Sequence, residues 1–140
     1  MLAKIKSLPW ELITTLGLVG LIRPIVKIIG DVAGIPIPPL VTYILTFAIA
    51  ATWIAVVIMY NVKKPMYVLA GAGAVYAIAS IALAVVIQLG IPSMADPEAK
   101  LHLLLTVGFV GSLVFNVVYG AFLGVLAEVI SVVGKNKRKK

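Results

Sequence analysis

Long apolar runs alternate along the chain with short polar or Gly/Pro-rich breaks. A helix needs about 20 mostly apolar residues to cross the hydrocarbon core of a bilayer, and four runs reach that length. They predict an all-α, four-helix transmembrane bundle as one polytopic domain over residues 1–134, followed by a basic tail over residues 135–140. The expected spans cover about residues 10–29, 39–60, 66–89 and 103–133.

Helix-breaking residues separate the runs. A Gly/Pro stretch over residues 30–39 is expected to form a loop, residues 61–65 a short turn, and residues 90–94 the end of the third helix. Because proline lacks an amide hydrogen and fixes its φ, Pro39 is expected at the start of a helix rather than inside one. The triplet Asp96–Glu98, with a central proline, is typical of a helix N-cap and first turn.

The fourth run is longer than a span requires. Leu101–Val133 contains 33 residues, or about 50 Å of helix, whereas the hydrocarbon core is about 30 Å thick. The helix is therefore either strongly tilted and protruding, or broken near Gly108 and Gly111. We favour one long helix that starts at Asp96, with its first two turns lying flat on the membrane or outside it.

Composition supports the membrane class and argues against several chemistries. The chain is 62% hydrophobic and 12% charged, with a mean hydropathy of +1.15, whereas soluble domains average about 45–50% apolar and 25% charged residues. It contains no cysteine, which excludes thiol redox catalysis and cysteine-ligated metal centres. The single histidine, His102, and five scattered acids form no catalytic or metal-ligand pattern. We therefore expect no enzyme activity and no cofactor.

The placement of the basic residues predicts an orientation. With the N-terminus in the cytoplasm, nine basic residues fall on the cytoplasmic side and Lys100 alone falls in the opposite loops. By the positive-inside rule this bias predicts a multi-pass protein of the cell (inner) membrane with both termini cytoplasmic. The basic tail is expected to attract anionic lipid headgroups, and nucleic-acid binding is not favoured. The nine residues are Lys4, Lys6, Lys63, Lys64, Lys135, Lys137, Arg138, Lys139 and Lys140.

A polar stripe follows the first run at intervals of four residues, which places its members on one slowly drifting helix face. Charges at membrane depth are costly and mark a functional site or a buried pair. Arg23 and Lys27 are also long enough to snorkel toward the outer headgroups, and Lys27 can pair with Asp31. Snorkelling is the favoured interpretation, with a ligand or ion role for Arg23 as the alternative. The stripe consists of Glu11, Thr15, Val19, Arg23, Lys27 and Asp31.

The fourth run carries a second pattern of small and polar residues, also at intervals of four. Its Gly120–Gly124 pair is a GxxxG motif, which lets two helix backbones approach closely. The face is therefore predicted to pack against protein, within the chain in the first interpretation and as a homodimer seam in the second. Its members are Gly108, Ser112, Asn116, Gly120, Gly124 and Glu128.

Three of these polar residues form a candidate intramembrane site. If the first and fourth spans are antiparallel neighbours, Asn116 lies at about the depth of Arg23, and Arg23 is expected to donate to the Asn116 side-chain oxygen. Glu128 lies about 8 Å from the inner boundary, where Lys4, Lys6 or the tail is expected to supply a compensating base. A proton-coupled role for Glu128 and a shallow position facing the interface both remain open.

The function that these features favour is that of a small non-enzymatic integral membrane protein acting through helix–helix contacts. It is expected to be an accessory, assembly or regulatory subunit or a homo-oligomer. One alternative is a homodimeric small-ion or small-solute transporter that uses Arg23 and Glu128, and another is a holin-like membrane permeabiliser. The size and the four spans are similar to those of small multidrug transporters, but Arg23 stands where those proteins carry a deep acidic residue.

Overall fold

The computed structural model describes residues 9–90 and 108–137, and all its regular elements there are helices. Four stretches are long and apolar enough to cross a membrane, namely residues 10–33, 39–59, 65–87 and 109–134. This confirms the all-α architecture with four candidate spans. The helices are α1 (Trp10–Val19), α2 (Ile22–Ala33), α3 (Pro39–Met59), α4 (Pro65–Gly90) and α5 (Phe109–Lys137).

The first span is interrupted at residues 20–21 because of Pro24. In a continuous α-helix residue 24 would donate to the Gly20 carbonyl, but proline has no amide hydrogen and its ring crowds that carbonyl. The Gly20 carbonyl accepts from the Arg23 amide instead, at 3.3 Å. Leu21 donates three residues back, to Leu18, at 3.0 Å. The first span therefore divides into the two helices α1 and α2.

The connection before α3 is shorter than the sequence suggests, while the turn after α3, residues 60–64, has the expected length of five residues. Residues 30–33, expected to be loop, complete α2, and Gly34 ends that helix in the left-handed region with φ of 68°. α3 ends in the same way at Asn61, whose φ is 47°. The Val62 amide donates to the Val57 carbonyl at 3.0 Å and the Asn61 amide to the Ile58 carbonyl at 3.0 Å. These two bonds form a Schellman motif, which turns the chain directly into α4.

The left-handed backbone at position 61 gives a testable expectation. Asn61→Gly should leave the free energy of unfolding near the wild-type value, because glycine adopts positive φ without steric cost. Asn61→Val should destabilise the protein by about 1–2 kcal/mol, because a β-branched side chain crowds the following carbonyl in this conformation. Unfolding in mixed detergent micelles, followed by circular dichroism, measures the difference. Equal stabilities for the two variants would contradict the turn geometry.

The buried core occupies one half of the bundle. Its residues come from the starts of α1 and α4 and the ends of α3 and α5, so they lie near the turn that carries Lys63 and Lys64. We call this the Lys63 end of the bundle. In the opposite half, the described part of α2 is exposed or half-buried apart from Gly30. The core cluster comprises Ile13, Leu16, Ala50, Trp53, Val57, Val68, Leu69, Ala72, Leu123 and Ala127.

Helices α4 and α5 share the most extensive interface of the bundle, and glycines bring their backbones together. A methyl group added at Gly120 would strike the Leu69 carbonyl oxygen, and one added at Gly124 would strike the Met66 backbone. On the facing helix, a methyl group at Gly73 would strike the Asn116 carbonyl oxygen. Successive contacts lie at higher residue numbers in α4 and at lower residue numbers in α5, so the two helices are antiparallel.

Helix α1 packs beside α4 and runs parallel to it. A methyl group added at Gly17 would lie 2.6 Å from the Val75 side chain, and one added at Gly20 would lie 2.6 Å from the Tyr76 ring. The close approach therefore depends on small residues in α1. It also sets a depth scale, since Tyr76 lies eleven residues beyond the start of α4, or about 17 Å along the helix.

Helix α5 is continuous through Gly111, whereas Gly108 lies at the edge of the described residues. Its 29 residues correspond to about 43 Å of helix, which exceeds the thickness of the hydrocarbon core. Because Gly124 faces Met66 near the start of α4, the later residues of α5 extend past α4 at the Lys63 end. The expected start at Asp96 lies outside the described residues.

Candidate functional site

Arg23 lies in the first turn of α2, just beyond the helix interruption. Its side chain is exposed, and α2 packs mainly against α3. Gly20 lies against Tyr76 of α4, so Arg23 is about 20 Å from the Lys63 end and about 10 Å below the opposite membrane surface. Across residues 9–90 and 108–137, no hydrogen bond or ion pair involves its guanidinium. Arg23 is thus a cation on the outside of the bundle with no compensating group among the described residues, within a candidate membrane span.

Arg23 and Asn116 are not brought together. The Asn116 amide nitrogen donates to the Ser112 carbonyl at 2.8 Å and lies 3.3 Å from the Ser112 hydroxyl oxygen. The Asn116 backbone faces Gly73 of α4, which is at about the level of Gly17 rather than Arg23. The expected pair therefore does not form, because the depth estimate assumed one straight first helix adjacent to α5.

The remaining charges of the polar stripe are also exposed. Lys27 and Asp31 share the outer face of α2 with Arg23, and among the described residues they form no ion pair. Thr15 bonds locally, its hydroxyl donating to the Glu11 carbonyl at 2.7 Å. The stripe is thus a polar surface on the outside of the bundle, and the described core has no side chain that interacts with its charges.

The small-residue face of α5 is divided between two environments. Gly120 and Gly124 are buried against α4, while Ser112 and Asn116 are half-buried. Gly108 and Glu128, at the two ends of the pattern, are exposed. Since α4 covers the central glycines, a homodimer seam cannot use them without displacing α4. The central glycines therefore pack within the chain, the first of the two interpretations, rather than at a seam between two copies.

Glu128 lines a cleft of about 240 Å³ at the Lys63 end. The turn between α3 and α4 forms one wall of this cleft and α5 forms the other. Lys63 lines the cleft with Glu128, and neither makes an ion pair among the described residues. Lys4, Lys6 and the tail from Arg138 onward, the bases expected near Glu128, lie outside the described residues. The sequence missed Lys63 because the tight turn, rather than residue spacing, brings it to α5.

Trp53 contributes the one long-range side-chain hydrogen bond between described residues. Its indole nitrogen donates to the Leu16 carbonyl at 2.9 Å, inside the core where Trp53 is 3% exposed. The Leu16 carbonyl also accepts the Gly20 amide at 3.3 Å, so the bond supports α1 just before the interruption. The position of Trp53 deep in the second apolar run predicts a core residue whose indole N–H needs an acceptor, and the packing of α1 against α3 supplies the Leu16 carbonyl as that acceptor.

The described residues contain no group of three or more side chains suited to hold a metal ion. Comparison of the chain with protein-family models, curated proteins and solved structures finds no match. The four apolar helices define the class: this is a multi-pass α-helical membrane protein. Within that class, its function is inferred from the placement of its charged side chains.

Proposed function

We propose that this protein acts through helix–helix contacts in the membrane, as an accessory, assembly or regulatory subunit or as a homo-oligomer, without enzyme activity. The contact surface is the outer face of α2, which carries Arg23, Lys27 and Asp31. Exposure of Arg23 at membrane depth, without a compensating group in the described bundle, is the observation that supports this proposal.

The energetic argument concerns what surrounds the guanidinium. Insertion measurements assign about 2.5–3.5 kcal/mol to an arginine at the centre of a transmembrane helix. A carboxylate or carbonyl on a neighbouring helix reduces this cost, because charge-assisted hydrogen bonds are the strong ones in a poorly hydrated environment. Arg23 has no such neighbour within the described bundle. A helix supplied by another chain at the α2 face would provide one.

The location of the core supports the same surface. The packed cluster holds α1, α3, α4 and α5 together near the Lys63 end, whereas α2 packs mainly against α3. Because other helices cover α2 only in part, a partner can pack against it without disturbing the core. The distribution of the basic residues favours cytoplasmic termini and contact with anionic lipids. Both of these belong to the proposal.

Affinity purification from native membranes in a mild detergent tests the proposal. We expect the wild-type chain to elute as an oligomer or with a membrane-protein partner. Arg23→Gln should reduce the recovered complex at least about tenfold, the effect of losing about 1.4 kcal/mol, while the thermal stability of the bundle is retained. Lys64→Gln is the matched control, since it also removes one exposed positive charge but lies in the turn at the Lys63 end.

Two outcomes contradict the proposal. One is that the wild-type chain is purified as a monomer, without any other membrane protein. The other is equal recovery of the complex with Arg23→Gln and Lys64→Gln, which would indicate that Arg23 simply snorkels to the headgroups. Because the chain contains no cysteine, a single cysteine at position 27 also allows cross-linking in native membranes. A cysteine at Phe47, which is 74% exposed on α3, controls for random collisions.

The interrupted first span favours one second candidate, a small-ion or small-solute transporter. Discontinuous membrane helices frequently form the substrate sites of transporters, and Arg23 lies beside this interruption. In such a transporter Arg23 would bind an anion and Glu128 would exchange a proton or a cation. Flux measurements in vesicles separate the two candidates, since transport requires that Arg23→Ala and Glu128→Gln abolish flux while the fold survives.

A further inference from the structure

We propose that the cleft at the Lys63 end binds the phosphoethanolamine headgroup of a membrane lipid, with Lys63 holding the phosphate and Glu128 holding the ammonium group. This site is independent of the proposed partner surface on α2. The inference rests on the depth of the cleft, its paired charges, its size and its apolar walls.

The cleft lies at the depth of lipid headgroups. The second candidate span ends at residue 59 and the third begins at residue 65, so the turn that carries Lys63 lies at a membrane surface. Gly124 of α5 faces Met66 at the start of α4. Glu128 follows Gly124 by one turn, about 6 Å farther along the helix, and is therefore level with the turn. The headgroup of a neighbouring lipid reaches both residues without entering the bundle.

The charges of the cleft are opposite in sign and are not neutralised by each other. Lys63 and Glu128 both line it and both are exposed, yet no ion pair joins them among the described residues. A phosphoethanolamine group carries one anionic phosphate and one primary ammonium group, which complement these two side chains. Asn61 and Ser131 also line the cleft and supply hydrogen-bond donors suited to phosphate oxygens.

The size and walls of the cleft favour a headgroup over a larger ligand. Its volume of about 240 Å³ is smaller than the roughly 300–1,000 Å³ typical of sites for drug-sized ligands. The walls between the polar residues are apolar and include Val62, Pro65 and Val132. Such walls suit the glycerol and upper acyl region of a lipid, whereas they offer nothing to a fully soluble zwitterion.

The pairing of Lys63 with the phosphate and of Glu128 with the ammonium group predicts selectivity among lipids. An ethanolamine ammonium donates hydrogen bonds to a carboxylate, but the trimethylated ammonium of choline has no N–H to donate. Phosphatidylglycerol has the phosphate without any cation, so Glu128 repels it. The site should therefore prefer phosphatidylethanolamine to both phosphatidylcholine and phosphatidylglycerol.

Native mass spectrometry of the full chain, titrated in detergent with each of these three lipids, tests the inference. We expect the wild type to bind phosphatidylethanolamine about tenfold more tightly than phosphatidylcholine, the other zwitterionic lipid. Glu128→Gln should remove that preference by weakening phosphatidylethanolamine binding while leaving phosphatidylglycerol binding unchanged or tighter. Lys63→Gln should weaken both lipids, because both use the phosphate contact. Lys64→Gln, the adjacent exposed control, should preserve the wild-type order.

Other results would overturn the assignment. If Glu128→Gln leaves the ratio of phosphatidylethanolamine to phosphatidylglycerol affinity unchanged, the carboxylate does not hold the ammonium. Equal binding of phosphatidylcholine and phosphatidylethanolamine by the wild type would show that the site does not recognise the N–H groups of the ammonium. Competition by soluble phosphoethanolamine at the concentrations effective for the lipid would exclude a lipid-specific site. Since Lys63 and Glu128 are exposed, their variants are expected to fold, and circular dichroism melts verify this.

Discussion

Gly120→Ala should destabilise the bundle by about 3 kcal/mol, the upper end of the usual range for overpacking. The added methyl group would collide with the Leu69 carbonyl oxygen of α4. Because this neighbour is backbone rather than a flexible side chain, no rotamer change relieves the contact. The helices must separate, which weakens the dispersion contacts that hold membrane helices together. Unfolding in mixed detergent micelles, followed by circular dichroism, measures the loss.

Gly111→Ala provides a matched control on the same helix. A methyl group added there has no atom within 4 Å outside its local backbone. Alanine is also a better helix former than glycine by about 1 kcal/mol in soluble helices. We therefore expect this variant to be as stable as the wild type or slightly more stable. If Gly120→Ala matches Gly111→Ala, α5 does not approach α4 as closely as described.

Trp53→Ala should have an effect of similar size, with a loss of about 3–5 kcal/mol typical of truncating a buried large aromatic side chain. The substitution leaves a cavity in the buried core cluster and removes the hydrogen bond to the Leu16 carbonyl. Trp53→Phe retains most of the ring volume but lacks the indole N–H. It should therefore cost less, because hydrogen bonds between membrane helices average about 0.6 kcal/mol.

Phe47→Ala tests whether the Trp53 effect comes from burial. Phe47 is an aromatic residue of the same helix, but its side chain is 74% exposed. Its truncation leaves no internal cavity, so the stability measured in the same micelles should stay within about 0.5 kcal/mol of the wild type. A large loss of stability for Phe47→Ala together with a small loss for Trp53→Ala would show that Phe47, rather than Trp53, lies in the core.

The structure distributes tight packing unevenly along the bundle. Backbone contacts and the buried cluster concentrate toward the Lys63 end, while α2 in the opposite half has few neighbours. Pro24 causes this difference in part, because it interrupts the first span before it can continue alongside α4. One half of the bundle is therefore tightly packed and the other half is less covered. Arg23 lies in the less covered half.

The candidate site was predictable in its residues but not in its contacts. The spacing of Arg23, Lys27 and Asp31 identified a polar face, and the structure keeps them on one face of α2. Among the described residues these three charges have no partner, and this depends on the direction in which α2 leaves the interruption. Spacing likewise singled out Glu128, but its nearness to Lys63 follows from the left-handed backbone at Asn61, which no hydropathy pattern encodes.

By itself the sequence determined that four apolar helices are long enough to span a membrane, because helix length and the cost of burying charge act on each segment separately. Even the division of the first span is implicit in Pro24, since a missing amide hydrogen is a local property. The tertiary structure alone decided that Gly120 and Gly124 face α4, that Trp53 bonds to α1, and that Arg23 has no partner among the residues that the structure describes. These outcomes depend on which helices become neighbours and in what register, and that choice is made by close packing between distant segments of the chain.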